Sequence, residues 1–313
     1  MGQLVQQLHM VDRTTTIEGQ NSLILVEPGY DAVVSGKFAG SSVEQILQFS
    51  KKIEKPIQYI IFSHAHGDHV GNLPFYLKRL TNLKKLIAHE NSPLLAQLQD
   101  SGLVQQEQIA TIDYKGEKIG LDGVPLDIVA TPGHSFHQDD ISLYFPRQQT
   151  LFAGDLFQPQ GVSYDKGVGV SPLPFFYNGD HYLNSLNKLL EVDFQTFITG
   201  HGEVLNQEKA RNGLFVTRQC IIRMKELSSQ MIAQYPKECL ETICEWIYDA
   251  IVWERRFDKE KAEERKNVPN HHRKSDYEIY DRPGLKYFVH QAKENSTKPI
   301  SSTDTNNLKP LTR

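Results

Sequence analysis

The sequence predicts an α/β fold with an added α-helical C-terminal region. Up to about residue 205, short runs of β-forming residues alternate with amphipathic helical runs, which is typical of a layered α/β protein. From about Glu208 the pattern becomes helical. The 313 residues, of which 39% are hydrophobic, are sufficient to bury a sizeable core. We therefore predict an α/β domain over residues 1–206 and a helical extension over 207–313.

Residues 21–36 predict two strands joined by a turn at Pro28–Asp31, because apolar runs flank a Pro-Gly pair. A helix is predicted from Ser41 to just before Pro56, since Val43 and Ile46 recur on one face. Further strands are predicted from apolar and β-branched runs: IQYIIFS, LKKLIAH, PLDIVAT, ISLYF, TLFAGD and FQTFITG. Two shorter helices are predicted, one opening at Asn91-Ser92-Pro93 and one over DHYLNSLNKLLEVD.

The extension begins with two long helical segments, EKARNGLFVTRQCIIRMKELSSQMIAQY and a second that starts at Lys237. Both carry apolar side chains at helical spacing, so we expect them to pack onto the first domain. The next stretch, NVPNHHRKSDYEIYDRPGLKYF, is polar and interrupted by prolines. The final residues, from Glu294, are poor in core residues and predict a disordered tail.

Four of the predicted strands end in loops that carry His or Asp beside glycine. The motif His64-Ala65-His66-Gly67-Asp68-His69 follows IQYIIFS, and the other loops supply His134, Asp155 and His201. Imidazole and carboxylate groups are common metal ligands, and loops on a rigid sheet could bring them together. Seven candidate ligands exceed the needs of one ion, which favours two ions that share one carboxylate.

In order and spacing, these loops resemble the metallo-β-lactamase superfamily over roughly the first two-thirds of the chain. The resemblance implies an αββα sandwich and a metal-dependent hydrolase. It also implies two divalent metal ions, with zinc as the first choice and iron or manganese as alternatives. The implied ligands are His64, His66 and His134 for the first ion, Asp68, His69 and His201 for the second, and Asp155 as the bridge.

Several departures from the family pattern concern the substrate and the support of the site. The family often ends its second strand with an acidic residue, where this chain has Val33-Val34-Ser35-Gly36. The Gly-Cys-Gly-Arg-Phe pattern of hydroxyacylglutathione hydrolases is missing after Asp155, which disfavours glutathione thioesters. Homoserine-lactone hydrolases commonly carry a tyrosine where this chain has Gln158, and Tyr164 is the nearest substitute.

The predicted reaction is attack by a metal-bound hydroxide on an ester, thioester or lactone-type acyl bond of a small molecule. Asp68 is the candidate catalytic residue, since it is placed to orient the nucleophile and to carry a proton to the leaving group. A metal-dependent phosphodiesterase or nuclease and a mononuclear-iron sulfur dioxygenase are the main alternatives. An oxygen-reducing diiron protein and a non-enzymatic scaffold are two others.

We place substrate selection in residues 158–180 and in the extension. Tyr164, Phe175 and Phe176 are candidate substrate-binding residues, and packing within the loop is the alternative for the two phenylalanines. Beside the His134 loop, Asp139-Asp140 either supports a ligand or forms part of a solvated loop.

The expected partner is a small molecule, because the net charge of −4 offers no broad basic footprint for nucleic acid. No apolar run approaches the length of a membrane span, so no membrane partner is expected. The extension is a candidate surface for a homodimer. The three cysteines have an odd count and no paired spacing, which together with the absence of a secretory signal predicts a cytoplasmic protein.

Overall fold

The computed structural model describes residues 8–11, 14–29, 41–165, 168–257 and 277–297. The first of its two large sheets lies at the N-terminal end of the chain and has six strands in sequence order. They are β1 (Leu8–Val11), β2 (Thr14–Glu18), β3 (Leu23–Val26), β4 (Ile57–Ile61), β5 (Lys85–His89) and β6 (Ile109–Ile112). Strands β3 to β6 are parallel, whereas β1, β2 and β3 pair antiparallel.

The second large sheet is mainly antiparallel. Its strands are β7 (Glu117–Leu121), β8 (Val124–Ala130), β9 (Ile141–Phe145), β10 (Thr150–Phe152), β13 (Thr196–Ile198) and β14 (Val204–Asn206). They lie in the spatial order β14-β13-β10-β9-β8-β7, and only β10 and β13 are parallel neighbours. Between β10 and β13, the strands β11 (Val162–Asp165) and β12 (Val168–Ser171) form a separate hairpin.

Helices lie between and after these strands. They are α1 (Ser41–Lys52), α2 (Gly67–Val70), α3 (Leu73–Leu77), α4 (Pro93–Asp100), α5 (Gly179–Glu191), α6 (Gln207–Gln234), α7 (Leu240–Phe257) and α8 (Arg282–Thr297). Within the described ranges, no helix combines the length and apolarity that crossing a bilayer requires.

Three apolar cores define four layers. Between the sheets, side chains such as Ile24 and Ile61 of the first sheet meet Leu143 and Phe152 of the second. The outer face of the first sheet packs on α1, α3 and α4, and that of the second packs on α5 and the C-terminal helices. This arrangement is an αββα sandwich with an added helical region, so the predicted fold is confirmed.

The strand and helix predictions up to residue 205 agree with the structure in most places. The runs ISLYF and TLFAGD form the antiparallel pair β9–β10 around residues 146–149, as expected. The strand predicted over residues 31–36 lies outside the described residues. The sequence reasoning missed β1, β2, β6, β7, β11, β12 and β14, which are three to five residues long and carry little apolar periodicity.

The stretch expected to be polar and broken by prolines contains the first half of α8. Pro283 lies in the first turn of this helix, where a missing N–H costs no intrahelical hydrogen bond. Leu285, Phe288 and Val289 recur on one face and are all buried. The helix extends to Thr297, so Glu294–Thr297, assigned to a disordered tail, are helical; residues 298–313 lie outside the described residues.

The extension packs onto the α/β region through both polar and apolar contacts. Arg211 donates hydrogen bonds to the carbonyls of Leu190 and Val192 at the end of α5, and Lys225 pairs with Asp180 at its start at 2.7 Å. In the same core, Leu214, Ile221 and Met224 of α6 are buried together with Phe197 of β13. We propose that the helices and the α/β region fold as one unit.

Phe288→Ala should therefore lower the free energy of unfolding by about 3–5 kcal/mol, the usual cost of deleting a buried ring. Phe288 is 1% exposed and its ring packs 5.7 Å from that of Phe176. Chemical denaturation of the full-length chain measures this loss. His290→Ala, on the exposed face of the same helix, is the matched control and should change stability by less than about 0.5 kcal/mol. Equal stability of the two variants would contradict docking of α8.

Candidate metal centre

The histidine motif begins where a buried parallel strand ends. Strand β4 stops at Ile61, His64 follows three residues later, and His66 stands at the N-terminal cap of α2. Asp68 and His69 lie within α2 itself. The change from strand to helix turns the chain within six residues, so these four side chains point to one place at the edge of the sheet.

The first group of candidate ligands contains His64, His66 and His134, whose ligand atoms all lie within 4.8 Å of one another. Nδ1 of His66 is 2.9 Å from Nε2 of His64 and 3.2 Å from Nε2 of His134. His66 and His134 are 68 residues apart in the chain and come from different sheets. Packing of the two sheets brings them together.

The second group contains Asp68, His69, Asp155 and His201, again within 4.8 Å. One carboxylate oxygen joins the two groups: Oδ2 of Asp155 lies 3.3 Å from Nε2 of His69 and of His201, and 3.7 Å from Nε2 of His134. The structure thus brings all seven predicted ligands together. The position of Asp155 between the groups is the one that a bridging carboxylate requires.

Two glycines allow the loops to approach this closely. A Cβ on Gly200 would lie 2.4 Å from Oδ1 of Asp155 and 2.8 Å from Cε1 of His69. Gly133, just before His134, has a φ of +136° and would place a Cβ 2.4 Å from the backbone nitrogen of Tyr182. A side chain at either position would displace a ligand-bearing loop.

The outer nitrogens of three histidines have polar partners: hydrogen bonds for His134 and His64, and an ion pair for His69. Nδ1 of His134 donates to the carbonyl of Phe175 at 2.9 Å, and Nδ1 of His64 lies 2.8 Å from Oγ of Ser63. Nδ1 of His69 lies 3.3 Å from Oε2 of Glu27. Since a carbonyl only accepts, His134 carries a proton on Nδ1, which directs its Nε2 into the site as the ligand atom.

Glu27 is a supporting residue that the sequence reasoning missed. The family pattern places a supporting acid where this chain has Val33-Val34-Ser35-Gly36. The acid lies earlier in the chain, directly after β3, where Glu27 pairs with His69. Glu27 is 1% exposed, accepts a hydrogen bond from the Ser63 amide at 3.0 Å and has a φ of +57°. Such a backbone conformation in a non-glycine residue is uncommon and often marks a functional site. An acid directly after the run LILV was the available signal.

Asp139 and Asp140 support the ligand loops, as one of our two interpretations held. Both are buried, which excludes the solvated-loop alternative. Asp139 accepts a hydrogen bond from the amide of Ala65 at 3.1 Å and one from the Ser135 hydroxyl at 2.6 Å. Burial and the neighbouring charge of Asp139 raise the pKa of Asp140 to about 8. The two residues therefore connect the motif loop to the His134 loop, and Asp140 retains its proton near neutral pH.

Burial sets the protonation of the first group. It lowers the pKa of His64 well below its usual value, lowers that of His66, and lowers that of His134 to about 4, with repulsion among the imidazoles adding to each effect. All three side chains are therefore neutral near pH 7, which is the form that binds metal ions.

The second group has the opposite electrostatics. Burial by itself lowers the pKa of His69, but the carboxylates of Asp155, Asp68 and Glu27 outweigh it and raise this pKa well above its usual value. Burial disfavours the ionised form of Asp155, but the charges of His69 and His201 hold its pKa well below the usual range. This group therefore concentrates carboxylate charge beside imidazole nitrogens.

The residues present fit a pair of divalent metal ions. In the first group, neutral imidazole nitrogens face each other at 2.9 and 3.2 Å, an arrangement that a cation between their lone pairs stabilises. In the second, Oδ1 of Asp155 is buried and receives no hydrogen bond from the described residues. Nitrogen and carboxylate oxygen ligands in this combination suit zinc, and they also suit iron or manganese.

A cavity of about 1020 Å³ opens above the ligands. Phe175 faces it, and its ring stacks 5.9 Å from that of His66. Phe176, the neighbouring substrate-binding candidate, lies elsewhere: it is fully buried, and its ring packs on Tyr182 and Phe288 in the core of the extension. We therefore correct that assignment to core packing. The side chain of Tyr164 lies outside those that the structure describes.

Gln158, which occupies the position of the lactonase tyrosine, joins two loops of the cavity. Its side-chain amide donates to the carbonyl of Asp155 at 2.6 Å and accepts from the amide of Phe175 at 2.7 Å. Its own backbone amide donates to the hydroxyl of Thr217 on α6. Gln158 thus fixes the Asp155 loop relative to the extension. The presence of glutamine in place of the lactonase tyrosine did not by itself indicate this role.

The sequence model of the metallo-beta-lactamase superfamily matches residues 14–201, more than half of the chain. The matched range includes all seven ligand candidates. This chain therefore belongs to the metallo-β-lactamase superfamily, whose members bind divalent metal ions and are mostly metal-dependent hydrolases, with some oxidoreductases.

The uncharacterized protein YobT of Bacillus subtilis is 30% identical over 234 residues, which cover 67% of this chain and 89% of YobT. The beta-lactamase-like protein 2 homolog of Caenorhabditis elegans is 28% identical over 151 residues, or 48% of this chain and 44% of that protein. Among solved structures, the apo chemotaxis sensor ODP from T. denticola has a TM-score of 0.50 at 18% identity, covering 70% of this chain and 92% of that one. The structural likeness shows a shared fold.

Proposed function

We propose that this protein is a dinuclear metal-dependent hydrolase, with zinc as the first choice of metal, that cleaves an ester, thioester or lactone-type acyl bond of a small molecule. The observation that carries the proposal is the position of Oδ2 of Asp155, within 3.7 Å of Nε2 of His134 in one ligand group and 3.3 Å of Nε2 of His69 and His201 in the other. When bound, two divalent ions supply an activated water and a Lewis acid that polarises the acyl carbonyl.

Within this site, the chain's own groups hold the ligands and move protons. Asp68 faces the cavity, and its Oδ2 lies 3.7 Å from Nε2 of both His69 and His201. Its side chain is 24% exposed, the greater exposure of the two carboxylates beside His201. Asp68 is therefore the carboxylate in position to orient the attacking water and to carry its proton to the leaving group.

The charge of the cavity supports an acyl substrate over a phosphodiester. Among the described lining residues there is no Lys or Arg, whereas Asp68, Asp155 and Glu203 are acidic. Arg211, Arg218 and Arg223 could have compensated by folding over the mouth. Each is engaged elsewhere: Arg211 with carbonyls at the end of α5, Arg218 with the Asn187 side chain and Arg223 with Glu254 on α7. A polyanionic substrate would meet no cationic side chain among these.

A substrate panel tests the proposal. Metal-loaded protein is assayed with aryl esters, acyl thioesters, lactones and bis-p-nitrophenyl phosphate, and at least one acyl class should be turned over fastest. His134→Ala should reduce this activity more than about a hundredfold, beyond the loss typical of residues behind the ligands. His290→Ala, an exposed histidine, should keep it. Phosphodiester turnover above every acyl substrate, lost in His134→Ala, would instead favour the phosphodiesterase alternative.

The proposal includes a reducing, cytoplasmic compartment. Cys220, Cys239 and Cys244 are all free thiols, and two of them are buried. Burial raises the pKa of Cys244 to about 12, so this thiol is a packed apolar group and not a reactive one. Retention of unpaired thiols is usual where glutathione keeps them reduced.

A further inference from the structure

The segment Tyr277–Asp281, which precedes α8, reaches the cavity of the metal centre. Ile279 and Tyr280 line that cavity together with the ligand loops. The ring of Tyr280 lies 5.6 Å from that of Phe175, which in turn lies 5.9 Å from His66 and 5.2 Å from His134. Tyr280 is therefore one aromatic ring away from the ligand histidines, although it belongs to the extension.

The aromatic contacts continue beyond this pair. Phe175 lies 5.3 Å from Tyr177, and Tyr177 lies 5.4 Å from Phe136 on the His134 loop. We call Phe136, Tyr177, Phe175 and Tyr280 the aromatic wall. Of these four, Phe175 and Tyr280 line the cavity, whose other lining residues include polar side chains such as Asp68, Thr199 and Glu203. The cavity thus combines a polar part with an apolar one, and the ring contacts continue from it through Tyr177 to Phe136, which is 68% exposed.

The segment is anchored on both sides, which makes this part of the cavity preformed. Asp281 is fully buried and accepts a hydrogen bond from the Ser171 hydroxyl at the end of β12. Tyr277 packs its ring 5.1 Å from that of Tyr248 on α7. Arg282, the next residue, pairs with Glu241 at 2.8 Å. A rigid, preorganised surface binds a ligand without the cost of ordering a loop.

The exposure of Ile279 indicates that its side chain serves ligand binding and not core packing. An apolar side chain that only attached the segment to the domain would be buried, as Phe288 of α8 is at 1%, but Ile279 is 53% exposed and faces the cavity. A cavity of about 1020 Å³ also exceeds what a small acyl group such as acetyl needs. Exposed apolar surface beside a large cavity is typical of ligand-binding surfaces.

We infer that Ile279 and Tyr280 determine substrate specificity by binding an extended apolar acyl group along the aromatic wall. The inference rests on the proposed acyl hydrolase function and deepens it. It assigns to the C-terminal extension a direct role in substrate selection. Because apolar burial grows with the number of methylene groups, preference for longer acyl chains is its signature.

Acyl-chain dependence tests this assignment. Metal-loaded full-length protein is assayed with p-nitrophenyl esters from acetyl to octanoyl, so that the leaving group is constant. The ratio of kcat/KM for the octanoyl to the acetyl ester should fall about tenfold in Ile279→Ser and in Tyr280→Ala, mainly through KM. Tyr280→Phe should retain the ratio because the ring remains. Trp253→Ala, an exposed aromatic on α7 outside the cavity lining, is the matched control and should also retain it.

Binding of the free acids separates this inference from the proposed function. Isothermal titration calorimetry should show octanoate binding more tightly than acetate, with the difference lost in Ile279→Ser and Tyr280→Ala. If no ester is hydrolysed but this pattern holds, the hydrolase proposal fails and the apolar site stands. If esters are hydrolysed and neither variant changes the chain-length ratio, the specificity role is overturned and the hydrolase proposal stands. Equal binding of octanoate to the variants and the parent protein would also overturn it.

Discussion

Asp155→Ala should lose metal from both ligand groups and at least about a thousandfold in kcat/KM, because one oxygen of Asp155 serves both groups. Removing any single histidine leaves the other group's ligands in place, whereas this change alters the two together. Elemental analysis of the purified variant should give well below one ion per chain, against about two in the parent protein.

Two further variants control this result. Asp155→Asn keeps the shape of the side chain, so a metal deficit in it arises from lost charge and not from a cavity. Asp100→Ala, an exposed aspartate at the end of α4, should retain both ions. Retention of two ions by Asp155→Ala would show that this carboxylate does not bridge. Thermal unfolding of each variant checks that the fold is intact.

Glu27→Ala should weaken metal binding at the Asp68, His69, Asp155 and His201 group by about 10–100-fold, the usual effect of removing a residue that orients a ligand. Glu27 holds Nδ1 of His69 at 3.3 Å and also accepts the Ser63 amide, so its loss frees the imidazole to rotate and leaves a buried N–H unpaired. Competition with a chelator measures the affinity of each ion, and the His64, His66 and His134 group should be affected less.

The order of metal affinities among Glu27 variants tests whether the charge of Glu27 or its hydrogen bond to Ser63 supports the site. Glu27→Gln retains an oxygen for the Ser63 amide but not the charge beside His69, so its metal affinity should fall between those of the parent and Glu27→Ala. Glu191→Ala, an exposed glutamate on α5, should bind metal normally. Equal loss from both ligand groups in Glu27→Ala would point to a general defect in folding instead of a positioning role.

The candidate ligand set could be predicted because its features are local. In each of the four loops, His or Asp stands beside glycine within a few residues of a strand end, so a single window of sequence displays the signal. The parallel pair β10–β13 and the buried strand β4 place these ends at one edge of the sandwich. The resemblance to a known family supplied the pairing of ligands between loops, which spacing alone leaves open.

Glu27 and Tyr280 could not be found in the same way. Glu27 directly follows the run LILV, which marks it as an acid at a strand end, but nothing in the sequence around it indicates that it meets His69. Tyr280 lies in a stretch whose polar composition predicts irregular structure, but it reaches the cavity because α8 docks on α6 and α5. Both contacts depend on how elements far apart in the chain pack against each other.

The sequence by itself determined the types of the main elements and the candidate metal ligands, because strand and helix periodicities and strand-end motifs are properties of short segments. The resemblance of those motifs to a known family implied the αββα class. Only the tertiary structure decided which acid supports His69, and that Phe175 faces the cavity while Phe176 enters the core. It also decided that the C-terminal extension forms part of the cavity. These outcomes follow from side-chain packing between distant layers, and no local pattern in the chain specifies which face of a loop or helix will meet which partner.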